Sequence, residues 1–230
     1  VALKTGSSAI GAALTVSHTG SLSGSEELYQ ALFARTGVIS VTSPAQFLET
    51  LKYFCVVGAP KGPNVAGFTC SGGGATMLAD HAEKIGMTFP KISEEGQAAL
   101  VDLLPDIATV SNPLDYTTPI WGQAKFTHPV FAKTLEATAA DATVLVQDYP
   151  AEGLEASKIY YQNDAAAFAR AAKERGIPAA ICATLPENLD KETRRHLIAQ
   201  GVAPMQGIHE ALNAMRDVAK WSERRQRILA

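Results

Sequence analysis

The sequence predicts an α/β protein whose mostly parallel sheet is covered by helices on both faces. Three observations carry that expectation. Short apolar runs at residues 65–70, 143–146 and 177–184 have the length and composition of strands buried on both sides. Segments with helical spacing separate them, and strands that alternate with helices imply βαβ units. Hydrophobic residues make up 47% of the 230 positions, enough to bury a substantial core.

In chain order, residues 6–24 are rich in Gly, Ser, Thr and Ala without clear periodicity, which predicts a loop. Ser23 and Glu26 have capping-box spacing, and Leu28, Tyr29, Leu32 and Phe33 continue a helix that should stop at Gly37. Residues 38–41 read as a short strand. Ser43-Pro44-Ala45-Gln46 is a helix start, with an N-cap serine, a proline in the first turn and a glutamine closing the box. Phe47, Leu48, Leu51, Phe54 and Cys55 then share a helix face. Two glycines and two prolines in residues 58–63 leave no room for a regular element. The expected organisation is therefore residues 1–58, a linker at 59–63, and a second domain at 64–230. In that domain a strand at 65–70 turns through Gly72-Gly73-Gly74 into a helix carrying Ala75, Leu78, Ala82 and Ile85 and ending at Gly86. Helices near 94–104 and 125–139, a strand at 143–146, a helix at 164–175 and a strand at 177–184 follow. Asp190 caps a helix that stops at Gly201, and Ile208, Ala211, Leu212, Met215 and Val218 mark the last helix. No internal repeat is visible.

The net charge is -3, with both signs interspersed, which gives no footprint for a nucleic acid or another polyanion. The basic tail Arg224-Arg225-Gln226-Arg227 reads as a solvated helix end, where cations suit the helix dipole. No apolar run approaches the roughly 20 residues of a membrane span, and the first residues lack a signal-peptide pattern. Because the sequence opens at Val1, it is expected to be a piece of something longer. Cys55, Cys70 and Cys182 are scattered and show no C-x-x-C spacing, which argues against a disulfide framework and fits a reducing cytoplasm.

Three constellations can carry chemistry. His18 lies in Val16-Ser17-His18-Thr19-Gly20, flanked by small hydroxyl residues and glycines. A neutral imidazole nitrogen can attack a phosphoryl group and hold it covalently. A polar surface loop satisfied by water explains the same residues. Ser71, Gly72, Gly73, Gly74 and Thr76 lie where a buried strand turns into a helix, a geometry that aims unpaired N–H groups and a positive dipole end at one spot. That spot suits phosphate, although a tight turn needing glycine for packing reads the same way. It is neither a Walker A loop nor the dinucleotide fingerprint. Asn112 and Asp115 in Ser111-Asn112-Pro113-Leu114-Asp115 fall near a strand end, where open α/β sheets bind ligands. They are positioned to orient a polar substrate, or else to make a turn. His81, His128, His196 and His209 lie on helices with no further ligands at metal spacing, so no metal site is expected in this chain.

Taken together these motifs resemble the acyl-CoA synthetases that form a nucleoside diphosphate, a family including ADP-forming acetyl-CoA synthetase and related to succinyl-CoA synthetase. Lys4, Gly6, Gly11, Ala12, the run Ser17-His18-Thr19-Gly20-Ser21-Leu22, Gly24, Tyr29, Phe33 and Gly37-Val38-Ile39 match its pattern. Ser71-Gly72-Gly73-Gly74 with Asp80, and Asn112-Pro113-Leu114-Asp115, follow in the family's order. The resemblance implies a flavodoxin-like second ligase domain, preceded by the end of a similar domain whose last strand would be residues 1–6. It implies that His18 is transiently phosphorylated and that the helix after Ser71 is one of two whose N-termini hold the phosphohistidine. It also implies coenzyme A, ATP or GTP and a small carboxylic acid as substrates, with an acyl phosphate as intermediate. A CoA-binding domain, an ATP-grasp module with its Mg2+, and most of the first ligase domain would have to be supplied from outside these residues, in a homo- or hetero-oligomer. A serine hydrolase built on Ser71 is the other enzyme reading, but Thr69 stands where G-x-S-x-G requires glycine. A non-catalytic binding module is the third.

Overall fold

The computed structural model describes residues 1–19, 24–151 and 153–229. Its centre is a five-stranded, all-parallel sheet in the order β4-β3-β5-β6-β7, formed by β3 (Val65–Thr69), β4 (Leu114–Asp115), β5 (Ala142–Val146), β6 (Ala179–Ala183) and β7 (Ala203–Gln206). Every residue of β3, β5 and β6 is buried, because helices cover both faces and leave no side for polar residues. The order, renumbered within this unit, is the 2-1-3-4-5 of flavodoxin-like sheets.

Side chains alternate across the sheet, dividing the core in two. Phe68, Leu114, Leu145 and Ile181 meet Leu100 of α5 (Glu94–Val101), Phe131 of α6 (Ala124–Ala137), Phe168 of α7 (Lys158–Arg175) and Leu197 of α8 (Lys191–Ala199). Phe68, Phe131 and Phe168 pack edge to face, with centroids 5.0 to 6.0 Å apart. On the other face Val144, Val146, Cys182 and Met205 meet Leu78 of α4 (Gly72–Lys84) and Leu212, Met215 and Val218 of α9 (Ile208–Leu229). Tyr53 of α3 (Pro44–Val57) is fully buried in this second layer. The helix ahead of the expected linker at 59–63 therefore packs on the sheet that follows it. Glu49 accepts the backbone N–H of Gln206 at 2.9 Å, and Phe54 stacks edge-on against Trp221 at 4.8 Å.

Ahead of α3 the chain forms β1 (Ala2–Leu3), α1 (Ala9–Thr19), α2 (Glu26–Thr36) and β2 (Ser40–Val41). β1 pairs in parallel with β2, so residues 1–6 do not contain the last strand of this segment. The expected loop at residues 6–24 contains α1. Ala9, Ala12 and Ala13 are strong helix formers, and Ser8 caps the first turn by accepting the N–H of Gly11 at 3.1 Å. The observed cap of α2 is Ser25, which accepts from Leu28 at 3.3 Å; the expected cap, Ser23, lies outside the described residues. Gly37 closes α2 with φ 71°, as expected from the left-handed position it must take.

Two further differences lie in the sheet domain. α7 begins at Lys158, ahead of the expected start, so Asp164 sits inside it. β7 was not legible, because Pro204 interrupts its pattern; it is tolerated there because β7 ends the sheet.

Candidate functional site

The sheet's strand order reverses around β3: the chain leaves it for β4 on one side and later returns to β5 on the other. Ligands of open α/β sheets bind outside the carboxyl ends at such a point. α4 starts there. Ser71 is its N-cap in ordinary extended conformation, φ -144° and ψ 125°, and its hydroxyl makes no cap bond. The first helical bond runs from Ala75 N–H to the Ser71 carbonyl at 3.1 Å. Among the described residues no hydrogen bond satisfies the N–H groups of Gly72, Gly73 and Gly74. Gly72 and Gly73 are exposed, so these donors face outward with the positive end of the helix dipole.

The three glycines divide the two readings of the motif between them. A Cβ on Gly74 would lie 2.6 Å from Thr69 Oγ1, so this glycine is required by packing against β3. A Cβ on Gly72 would lie 3.7 Å from Asp115 Oδ2, and one on Gly73 would lie 3.6 Å from Ser71 Oγ. Nothing in the fold forbids a side chain there, and the open backbone is available to an anion. Thr76 is less well suited: its hydroxyl donates to the Gly73 carbonyl at 2.9 Å, so its proton is engaged within the helix.

Asn112 and Asp115 part company as well. Asn112 Oδ1 accepts the Gly67 N–H at 3.0 Å, and its Nδ2 donates to the Val65 carbonyl at 3.1 Å and the Pro90 carbonyl at 2.9 Å. The amide thus braces the β3 backbone and is not free to orient a substrate, contrary to the expectation. Asp115 ends β4 beside α4. One carboxylate oxygen accepts the Thr117 N–H at 2.9 Å, and the other faces Gly72.

His18 belongs to the last turn of α1, not to a loop; Gly20 to Ser23 of its motif lie outside the described residues. The structure therefore brings Ser71, Gly72, Gly73 and Asp115 together, while His18 is carried by a separate element near the start of the chain.

Sequence reading missed Asp164. It is fully buried, and its carboxylate accepts from Tyr116 OH at 2.9 Å, Gly122 N–H at 3.0 Å and Thr127 Oγ1 at 3.1 Å. Burial raises its pKa, and those three bonds oppose the rise. Part of the signal was present in the sequence: Ala167 and Phe168 stand three and four positions on and mark the buried face, whereas Tyr160, four positions back, is 47% exposed. Cys70, between β3 and Ser71, has its thiol pushed up to about 11 by burial and then by the Asp164 and Asp115 charges, so it is no thiolate nucleophile at neutral pH. His81 stacks on His209 at 3.9 Å on the α4–α9 side. Among the described residues no group of three or more His, Cys, Asp or Glu is placed to hold a metal ion, and no helix is long and apolar enough to cross a membrane.

Fold and site define a class: a flavodoxin-like α/β unit that opens a glycine-lined helix N-terminus at the sheet's switch point. Comparison with known proteins gives that class its relatives. Residues 1–54 match the succinyl-CoA ligase like flavodoxin domain. The chain is 35% identical over 123 residues to the acetate–CoA ligase [ADP-forming] II subunit alpha of Pyrococcus furiosus, covering 54% of this chain and 27% of that protein. It is 22% identical over 227 residues to the acetate–CoA ligase [ADP-forming] II of Archaeoglobus fulgidus, covering 98% of this chain and 32% of that one. The fold matches an acetyl-coenzyme A synthetase 1 of Ca. Korarchaeum cryptofilum, solved with phosphate and ADP, with a TM-score of 0.77 at 22% identity over 99% of this chain and 48% of that one. The chain is thus similar to ADP-forming acetate–CoA ligases, and it spans about a third or less of the length of these curated relatives.

Proposed function

We propose that this chain supplies the phosphohistidine segment and one phosphate-holding domain of an NDP-forming acyl-CoA synthetase. The whole enzyme joins a small carboxylic acid to coenzyme A while a nucleoside triphosphate is cleaved to the diphosphate and phosphate. The observation that carries this reading is the start of α4, where the Gly72 and Gly73 amides and the Ser71 hydroxyl stand open at the strand switch point. Backbone donors at the start of a helix anchored to a buried strand hold a phosphoryl group without reorganising when its charge changes.

In this reading His18 takes the terminal phosphoryl group of the nucleoside triphosphate, releasing the diphosphate, and passes it to the carboxylate; the acyl group of the resulting enzyme-bound acyl phosphate then moves to the thiol of CoA as inorganic phosphate leaves, and the reverse direction runs the same steps backwards. The helix N-terminus of α4 neutralises the phosphoryl oxygens while the group rests on the imidazole. The CoA-binding and nucleotide-binding parts, with the ATP or GTP and Mg2+ that the latter handles, would come from other domains or a partner subunit. The division of the chain at residues 59–63 belongs to the same proposal.

Ser71 is not placed as a hydrolase nucleophile. A nucleophile elbow holds its serine in a strained turn, whereas Ser71 has ordinary extended angles. The decisive experiment is phosphorylation of the full-length protein by labelled nucleoside triphosphate. Wild type should take up acid-labile label, and His18→Asn should take up none; equal labelling of the two would remove His18 as the carrier.

A further inference from the structure

Asp164 is buried without an ion pair among the described residues, yet it binds three segments at once. Tyr116 follows β4, Gly122 closes the next turn, and Thr127 lies on α6. Neighbours on α7 tighten the same clasp. Asn163 Nδ2 donates to the Gly122 carbonyl at 3.1 Å. Gly122 takes φ 72°, and a Cβ there would lie 2.7 Å from the Tyr160 side chain, so only glycine lets the loop approach α7 this closely. Residues 116–122 are therefore fastened to α7 at several points. The residue just ahead of this loop is Asp115, whose free oxygen faces Gly72.

We propose that Asp164 is a positioning residue: by fastening residues 116–122 to α7 it holds the Asp115 carboxylate beside Gly72 at the start of α4, where that carboxylate loosens the helix's grip on a phosphoryl group. The second half rests on the reading of α4 as a phosphate cradle. The physical logic is one of balance. A helix N-terminus carries about half a positive charge and attracts anions, and a nearby carboxylate offsets that attraction. A site that must release a phosphoryl group on every turnover gains from such an offset, because a cradle that binds too firmly retains its ligand. The offset works only if the carboxylate is held in place, and the buried acceptor at Asp164 does this from a second helix.

The test uses the intact protein with glycine-selective isotope labelling, read by the NMR amide signals of Gly72 and Gly73. Asp115→Asn removes the charge and shifts these signals directly. Asp164→Asn should shift them in the same direction, and Tyr116→Phe, a milder loss of one donor, should do so by less. Leu135→Ala, which weakens the core on the same sheet face without touching the clasp, should leave them in place. Inorganic phosphate should bind roughly threefold or more tightly to Asp115→Asn and Asp164→Asn than to wild type. Signals unmoved in Asp164→Asn and Tyr116→Phe, or moved as far in Leu135→Ala, would overturn the positioning role. If phosphate binds to none of these proteins, the cradle falls, and with it the loosening role of Asp115; the amide signals still decide whether Asp164 places that residue.

Discussion

The two regions on either side of α3 are built on different terms. In residues 64–229 whole strands are buried, and an aromatic cluster of Phe68, Phe131 and Phe168 fills one sheet face. In residues 1–41, α2 has no buried residue, Ile10 and Leu14 of α1 are 77% and 56% exposed, and the only strand pairing among the described residues joins two-residue strands. The difference teaches where the two halves of the proposed chemistry can sit. A phosphate cradle depends on fixed amide directions, and α4 begins directly from a strand hydrogen-bonded on both sides. The candidate carrier lies on the segment with little core of its own, so its position depends on less of this chain's packing.

The contrast breaks most visibly in stability. Phe168→Ala should cost about 3–5 kcal/mol, since it empties the centre of the larger cluster. Leu28→Ala, at a position 71% exposed on α2, should change stability by no more than about 0.5 kcal/mol. Denaturant unfolding of both variants measures the pair. A comparable loss at Leu28 would mean that the N-terminal segment shares the core's cooperativity.

A glycine pair sharpens the comparison within the cradle. Gly74→Ala should cost about 1–3 kcal/mol, because its Cβ meets the Thr69 side chain. Gly72→Ala, with ordinary contact distances, should be neutral or stabilising by up to about 1 kcal/mol through helix propensity. Yet Gly72→Ala should weaken phosphate binding by narrowing access to the amides. Thermal unfolding together with phosphate titration separates the packing glycine from the binding glycine, and equal effects in both assays would erase the distinction.

What the sequence made legible follows the same boundary. Strands buried on two sides show as apolar runs, so β3, β5 and β6 were readable, as were the caps at Ser43 and Asp190. α1 was not, because helix reading looks for an apolar stripe and this helix is built on alanine propensity and a serine cap. In the site, the motif fixed the glycine run at the start of α4, since chain direction alone sets where a helix's free N–H groups point. It could not show that the amide of Asn112 turns inward to Gly67, Val65 and Pro90, or that the Thr76 hydroxyl turns back on its own helix. Side-chain direction depends on neighbours that are distant in sequence. Asp164 was missed for the related reason that a charged residue on a helix is first read as solvated.

The smallest effect tests the joint between the regions. Tyr53 carries α3 into the sheet's second layer, and its hydroxyl is buried without a hydrogen-bond partner among the described residues. Burial raises its pKa well above the usual phenol value, so it is neutral throughout the working range. An unpaired buried hydroxyl destabilises the fold by its lost hydration, whereas the ring contributes apolar contact. Tyr53→Phe keeps the ring and removes the hydroxyl, so it should leave stability unchanged or raise it by up to about 1 kcal/mol. A loss of stability on equilibrium unfolding would show that the hydroxyl is satisfied in solution. The joint between α3 and the sheet would then rest on a polar contact, and the two regions would be tied by more than packing.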